Sequence, residues 1–130
     1  MQLEGIWTGV LFIDKLRQFI EDEFFQIEIL PIGTDKVIVA TVKEQGQRES
    51  LSPDKETITY RATGRIDSES GEIRLVYETR SSLAGKEAQS VELIAKVNEK
   101  TGTMKGHYRL MSQADPQASF ILRKTEKEPL

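Results

Sequence analysis

The sequence predicts an all-β fold: an eight-stranded antiparallel barrel of up-and-down topology, with one short helix allowed after the first strand. Three observations carry this. Eight segments alternate apolar and polar residues with the period of two that belongs to strands. Most of the connections between them are short and rich in turn-forming residues. The chain also opens on Gly5-Ile6-Trp7-Thr8-Gly9, in which glycines on both sides of an indole permit close approach in a twisted strand. A meander of strands with one apolar face closes most simply as a barrel, which also removes the open edges of a flat sheet.

The first strand runs from Gly5 to Phe12 and is apolar on both faces, so both sides are expected to be covered. From Ile13 to Phe24 the apolar positions Ile13, Leu16, Phe19, Ile20 and Phe24 recur at three- and four-residue steps. That spacing predicts a short amphipathic helix between Asp14 and Glu23, with Asp14 as its cap. A strand extension with a wide hairpin is the alternative. Strand two, Phe25 to Leu30, stops at Pro31, and a Gly33-Thr34-Asp35 turn leads to strand three, Lys36 to Glu44. The longest loop candidate is the polar stretch Gln45 to Lys55, before strand four, Thr57 to Ile66. A turn ending at Gly71 precedes strand five, Glu72 to Arg80, with Ile73, Leu75 and Tyr77 on one face and Arg74, Val76 and Glu78 on the other. The loop Ser81 to Lys86 leads to strand six, Glu87 to Asn98, with Val91, Leu93, Ala95 and Val97 on its apolar face. A tight connection ending at Gly102 gives strand seven, Thr103 to Met111, whose inner face holds Met104, Gly106, Tyr108 and Leu110. Strand eight is Gln117 to Lys124, followed by a charged tail over residues 125–130.

The 130 residues fit one domain, large enough to bury a core. Apolar residues make up 38% and charged residues 30%, as in a soluble globular protein. Cysteine is absent, which removes disulfides and thiolate chemistry and sits easily with a cytoplasmic location. No run approaches the roughly 20 apolar residues that cross a bilayer. A net charge of −3 argues against binding to DNA or RNA polymers, which would need a broad basic face. It leaves room for a small anionic ligand held by a few arginines.

Catalytic motifs are missing. With one histidine and no cysteine, neither a Cys-His nucleophile nor a His-rich metal cage is available. Gly-x-Ser-x-Gly, a phosphate loop and Gly-x-Gly-x-x-Gly are absent, so a non-enzymatic protein without metal or cofactor is expected. The run Glu21-Asp22-Glu23 reads as a solvated face, and His107 falls on the polar side of its strand. The candidate ligand-binding residues are Tyr77 and Tyr108, which share the parity of the apolar faces, with Arg80 and Arg109 as guanidinium donors. Arg80 has the opposite parity to Tyr77 and reaches a ligand only if strand five ends or bulges near Thr79. Trp7 is read as a plug at one barrel end.

The chain also carries a family resemblance. Leu3-x-Gly5-x-Trp7-x-Gly9-x-Leu11, then Leu75-x-Tyr77, then Met104-x-Gly106-x-Tyr108, then Phe120-x-Leu122-Arg123 resembles in order the β-strand-rich domain of the two-transmembrane effectors of bacterial cyclic-oligonucleotide antiphage defence (CBASS). That domain is similar to a lipocalin barrel. The resemblance implies a sensor for a cyclic dinucleotide, with the inner membrane reached only through two helices that this sequence does not contain. It also implies that Trp7 packs against a guanidinium, Arg123 or Arg109, tying first and last strands together. A looser resemblance, through the Gly-x-Trp opening, is to lipocalins and fatty-acid-binding barrels. Three readings stay open: a nucleotide-signal sensor, a carrier of an apolar small molecule, and a filled barrel that serves as an interaction module. A homo-oligomer is compatible with each.

Overall fold

The computed structural model of the chain describes residues 3–13, 23–45, 57–67, 69–79 and 88–125. Eight strands follow in chain order: β1 Gly5–Ile13, β2 Glu23–Ile29, β3 Val37–Gln45, β4 Thr57–Ile66, β5 Ile73–Thr79, β6 Gln89–Asn98, β7 Thr103–Leu110 and β8 Ala118–Thr125. Each pairs antiparallel with the next, and β8 returns to pair with β1, closing the barrel. The expected all-β, eight-stranded antiparallel barrel is therefore the fold.

The expected helix between Asp14 and Glu23 falls mostly on residues 14–22, outside the described residues. Its last position, Glu23, and the neighbouring Phe24 belong to β2, in register with Leu11 and Val10. Among the described residues there is no helix. The expectation that β1 is covered on both faces also needs correction. Val10 is exposed, whereas Trp7 and Leu11 are buried. The second apolar face of β1 lies on the outside of the barrel wall.

The interior follows from alternation. Ile73, Leu75, Tyr77 and Thr79 of β5 are buried and the residues between them exposed. Neighbouring strands add Val91, Leu93, Met104, Tyr108, Phe120 and Leu122. Burying a side chain of this size stabilises by about 1.5–3 kcal/mol, so this inward set is the main source of stability. Phe25 and Phe120 pack with ring centroids 5.2 Å apart in a tilted pair.

Two glycines of the opening motif have distinct physical reasons. Gly5 has φ +130°, a conformation that side chains rarely adopt. At Gly9 a Cβ would come within 2.0 Å of the Ile121 carbonyl oxygen, so β1 and β8 can approach only if no side chain is there.

Up-and-down topology separates the two ends. The connections β2–β3, β4–β5 and β6–β7 lie at the end that holds Trp7. The connections β1–β2, β3–β4, β5–β6 and β7–β8 leave from the other end.

Candidate functional site

Trp7 is fully buried, and its indole N–H donates to the Leu3 carbonyl at 2.9 Å. Leu3 and Ile32 pack on the core there, and the Glu4 carboxylate accepts the Ile32 N–H at 3.4 Å. This closes one end and places Trp7 as the expected plug. The cation over its ring is Lys124, with Nζ 5.9 Å from the centroid, and not Arg123 or Arg109. The reason is parity. Lys124 continues the inward set Phe120 and Leu122 and stands opposite Trp7 in register, whereas Arg123 is exposed on the outer face. Arg109 also lies on the outer parity. It donates to the Gln113 carbonyl at 2.7 Å and to Glu92 at 3.0 Å, fastening β7 to β6 and to the turn before β8.

The chemistry lies toward the other end. Glu44 is the last inward residue of β3 whose side chain is described, after Ile38, Ala40 and Val42, and it is only 2% exposed. Its Oε2 accepts the Tyr77 hydroxyl at 2.8 Å, and its Oε1 accepts the Thr79 hydroxyl. Tyr77 and Thr79 are adjacent inward positions of β5, so the Glu44 side chain spans from β3 past β4 to reach them. On β4, Tyr60 places its ring 5.5 Å from that of Tyr77. Tyr108, fully buried on β7, adds a further phenol to the interior. Burial pushes the Tyr77 hydroxyl well above its usual range, and the Glu44 charge and the nearby Tyr108 and Tyr60 add to the effect. Tyr77 is therefore held protonated as a donor.

The β4–β5 ladder ends before this level. Among the described residues the β4–β5 ladder joins Thr63–Ile66 to Ile73–Val76 and no more. Residues 58–62 of β4 are still paired with β3, but they and residues 77–79 of β5 have no register partners across this seam. Tyr60, Tyr77 and Thr79 line the seam from within.

The sequence-predicted residues therefore separate. Tyr77 and Tyr108 point inward as expected. Arg109 and Arg123 face outward, and Arg80 lies outside the described residues, just past the end of β5. Glu44 and Thr79 were not singled out from sequence, although a carboxylate that keeps the parity of Ile38-Ala40-Val42 was the available signal. No group of three or more metal-ligating side chains occurs among the described residues, and no helix among them is long and apolar enough to cross a membrane. No protein-family model matches the chain, and no curated protein matches it in sequence.

Proposed function

We propose that this barrel is a non-enzymatic binding protein for a small molecule, taken up at the seam end and held there by Glu44 and the tyrosines. The observation that carries the reading is Glu44, a buried carboxylate inside the barrel. Burying a carboxylate costs several kcal/mol and is offset only by donors and favourable charge. Two hydroxyls already donate to it. A ligand that brings an ammonium or N–H and O–H donors suits such a carboxylate, with its flat apolar part against Tyr60 and Tyr77. The opposite end is filled by Trp7, with Leu3 and Ile32 packed on the core there, which favours the Glu44 end for a ligand, where Phe25 stands beside Glu44 in register and adds an apolar wall.

This chemistry favours a cationic or donor-rich amphipathic molecule over a phosphodiester, because a buried carboxylate repels an anion. The cyclic-dinucleotide reading is kept as a second one. The inward aromatic faces of Tyr77, Tyr108 and Tyr60 favour it, since base stacking is worth about 1–3 kcal/mol per base. It needs a guanidinium inside, and among the candidates only Arg80 is not already placed on the outer face.

A thermal-shift comparison tests both, using tryptamine, a neutral long-chain alcohol and a cyclic dinucleotide. A ligand at 100 times its dissociation constant adds about 2.7 kcal/mol. Stabilisation by tryptamine that disappears in Glu44→Gln supports the proposal. Stabilisation by the dinucleotide alone overturns it in favour of the second reading. No shift with any of them points to a filled barrel that acts as an interaction module.

A further inference from the structure

The outer wall over β6, β7 and β8 holds a groove of about 400 Å³. Its apolar lining comes from Phe12, Ile94 and Ile121, the last of them exposed. Gly106 lies in the groove wall, and its inward side is filled by the Phe120 ring: a Cβ there would meet the Ile94 carbonyl oxygen at 2.4 Å and that ring at 2.5 Å. A second depression of about 280 Å³ adjoins it and shares two residues with it, Lys96 and Lys105. These lysines are direct cross-strand partners on β6 and β7.

A like-charged pair at that position is destabilising. Among the described residues no carboxylate pairs with either lysine. The one acidic residue lining the groove, Glu72, is engaged by Arg74 at 2.9 Å. The chain carries net negative charge, yet this part of its outer wall presents two ammonium groups, neither with a carboxylate within ion-pair distance among the described residues, beside an apolar trough. The row continues from Lys105 to Ile121 and on to Val10, both of them exposed apolar residues.

We propose that this groove is a second binding site, independent of the barrel interior, for a free single-chain amphiphile with a carboxylate or phosphate head. The head sits between Lys96 and Lys105 and relieves their repulsion, and the Thr101 and Thr103 hydroxyls line the adjoining depression behind it. The chain lies along Ile94, Phe12 and Ile121. The volume falls in the range of about 300–1,000 Å³ typical of small-ligand sites. Its recessed shape suits a molecule that enters the protein wall, as opposed to a wall that inserts into a bilayer.

The test titrates dodecyl phosphate, kept below its micelle concentration, into isotope-labelled protein and follows backbone amide signals. Saturable shifts at Ile94, Lys105, Gly106 and Ile121, with Tyr77 and Thr79 unmoved, are expected. The double variant Lys96→Gln/Lys105→Gln should weaken binding at least tenfold without lowering the melting midpoint, and Ile121→Ser should weaken it too. Glu44→Gln should leave it unchanged, which separates this site from the interior one. Shifts confined to interior residues, equal affinity in the lysine variant, or binding to phosphatidylglycerol vesicles but not to the free amphiphile would each overturn the proposal.

Discussion

The Tyr77 hydroxyl donates to Glu44 Oε2 at 2.8 Å, joining two residues 33 positions apart through the interior of the barrel. The contact supplies one of the donors that a buried carboxylate requires. Tyr77→Phe removes that donor and leaves Glu44 in place. The variant should lose about 1–3 kcal/mol, the cost of leaving a buried polar group unsatisfied. Chemical denaturation of both proteins measures it, and an unchanged midpoint would show that Glu44 does not depend on Tyr77.

The same tyrosine gives the fold an alkaline limit. Its ordinary value is 10.0, and in the folded state burial, followed by the Glu44 charge, raises it well above that. Below pH 10 both folded and unfolded chains keep the proton, so this group adds no pH dependence. Above it the unfolded chain loses the proton first, and stability falls with rising pH by about 1.4 kcal/mol per unit until the folded value is passed. Denaturation at pH 9 and pH 11 should show the loss in the native sequence and a smaller one in Tyr77→Phe. Identical slopes in the two proteins would contradict the assignment.

Gly9 and Gly64 should resist substitution for reasons of space. A Cβ at Gly64 would lie 1.7 Å from the Arg74 carbonyl oxygen, and one at Gly9 would lie 2.0 Å from that of Ile121. Both obstacles are backbone, so the paired strands themselves must shift. Gly9→Ala and Gly64→Ala should each cost about 1–3 kcal/mol or more. At Gly71 a Cβ meets nothing within 4 Å, and φ is +75°, so Gly71→Asn, which tolerates that conformation, should be nearly neutral. Thermal melts of the three variants give the ranking.

At the closed end, Trp7→Ala should cost about 3–5 kcal/mol through lost core volume. Trp7→Phe keeps much of the ring but abandons the 2.9 Å donation to Leu3, and should cost less. Lys124→Met removes the cation from over the indole and keeps the aliphatic stem, so it should lose at least part of the cation–indole contribution, about 0.5–2 kcal/mol, and less than Trp7→Ala. Arg123→Met should change little. Urea midpoints across the set check the order.

Much of the architecture was legible locally. The sequence alone determined the strands and their inward faces, because the two-residue period is a property of each strand by itself. Ile73-Leu75-Tyr77, Val91-Leu93-Ala95 and Met104-Gly106-Tyr108 are all inward for that reason. The same parity put Arg109 and Arg123 outside, and it already pointed Lys124 inward, although the family resemblance had suggested Arg123 or Arg109 for Trp7. What only the tertiary structure decided are the relations between distant strands. The closure of β8 on β1 sets Lys124 opposite Trp7. The curvature that carries β3, β4 and β5 around the barrel brings Glu44 to Tyr77 and Thr79. The β4–β5 ladder ends just short of them. Register and closure depend on how all eight strands fit around one core, and no single segment encodes that fit.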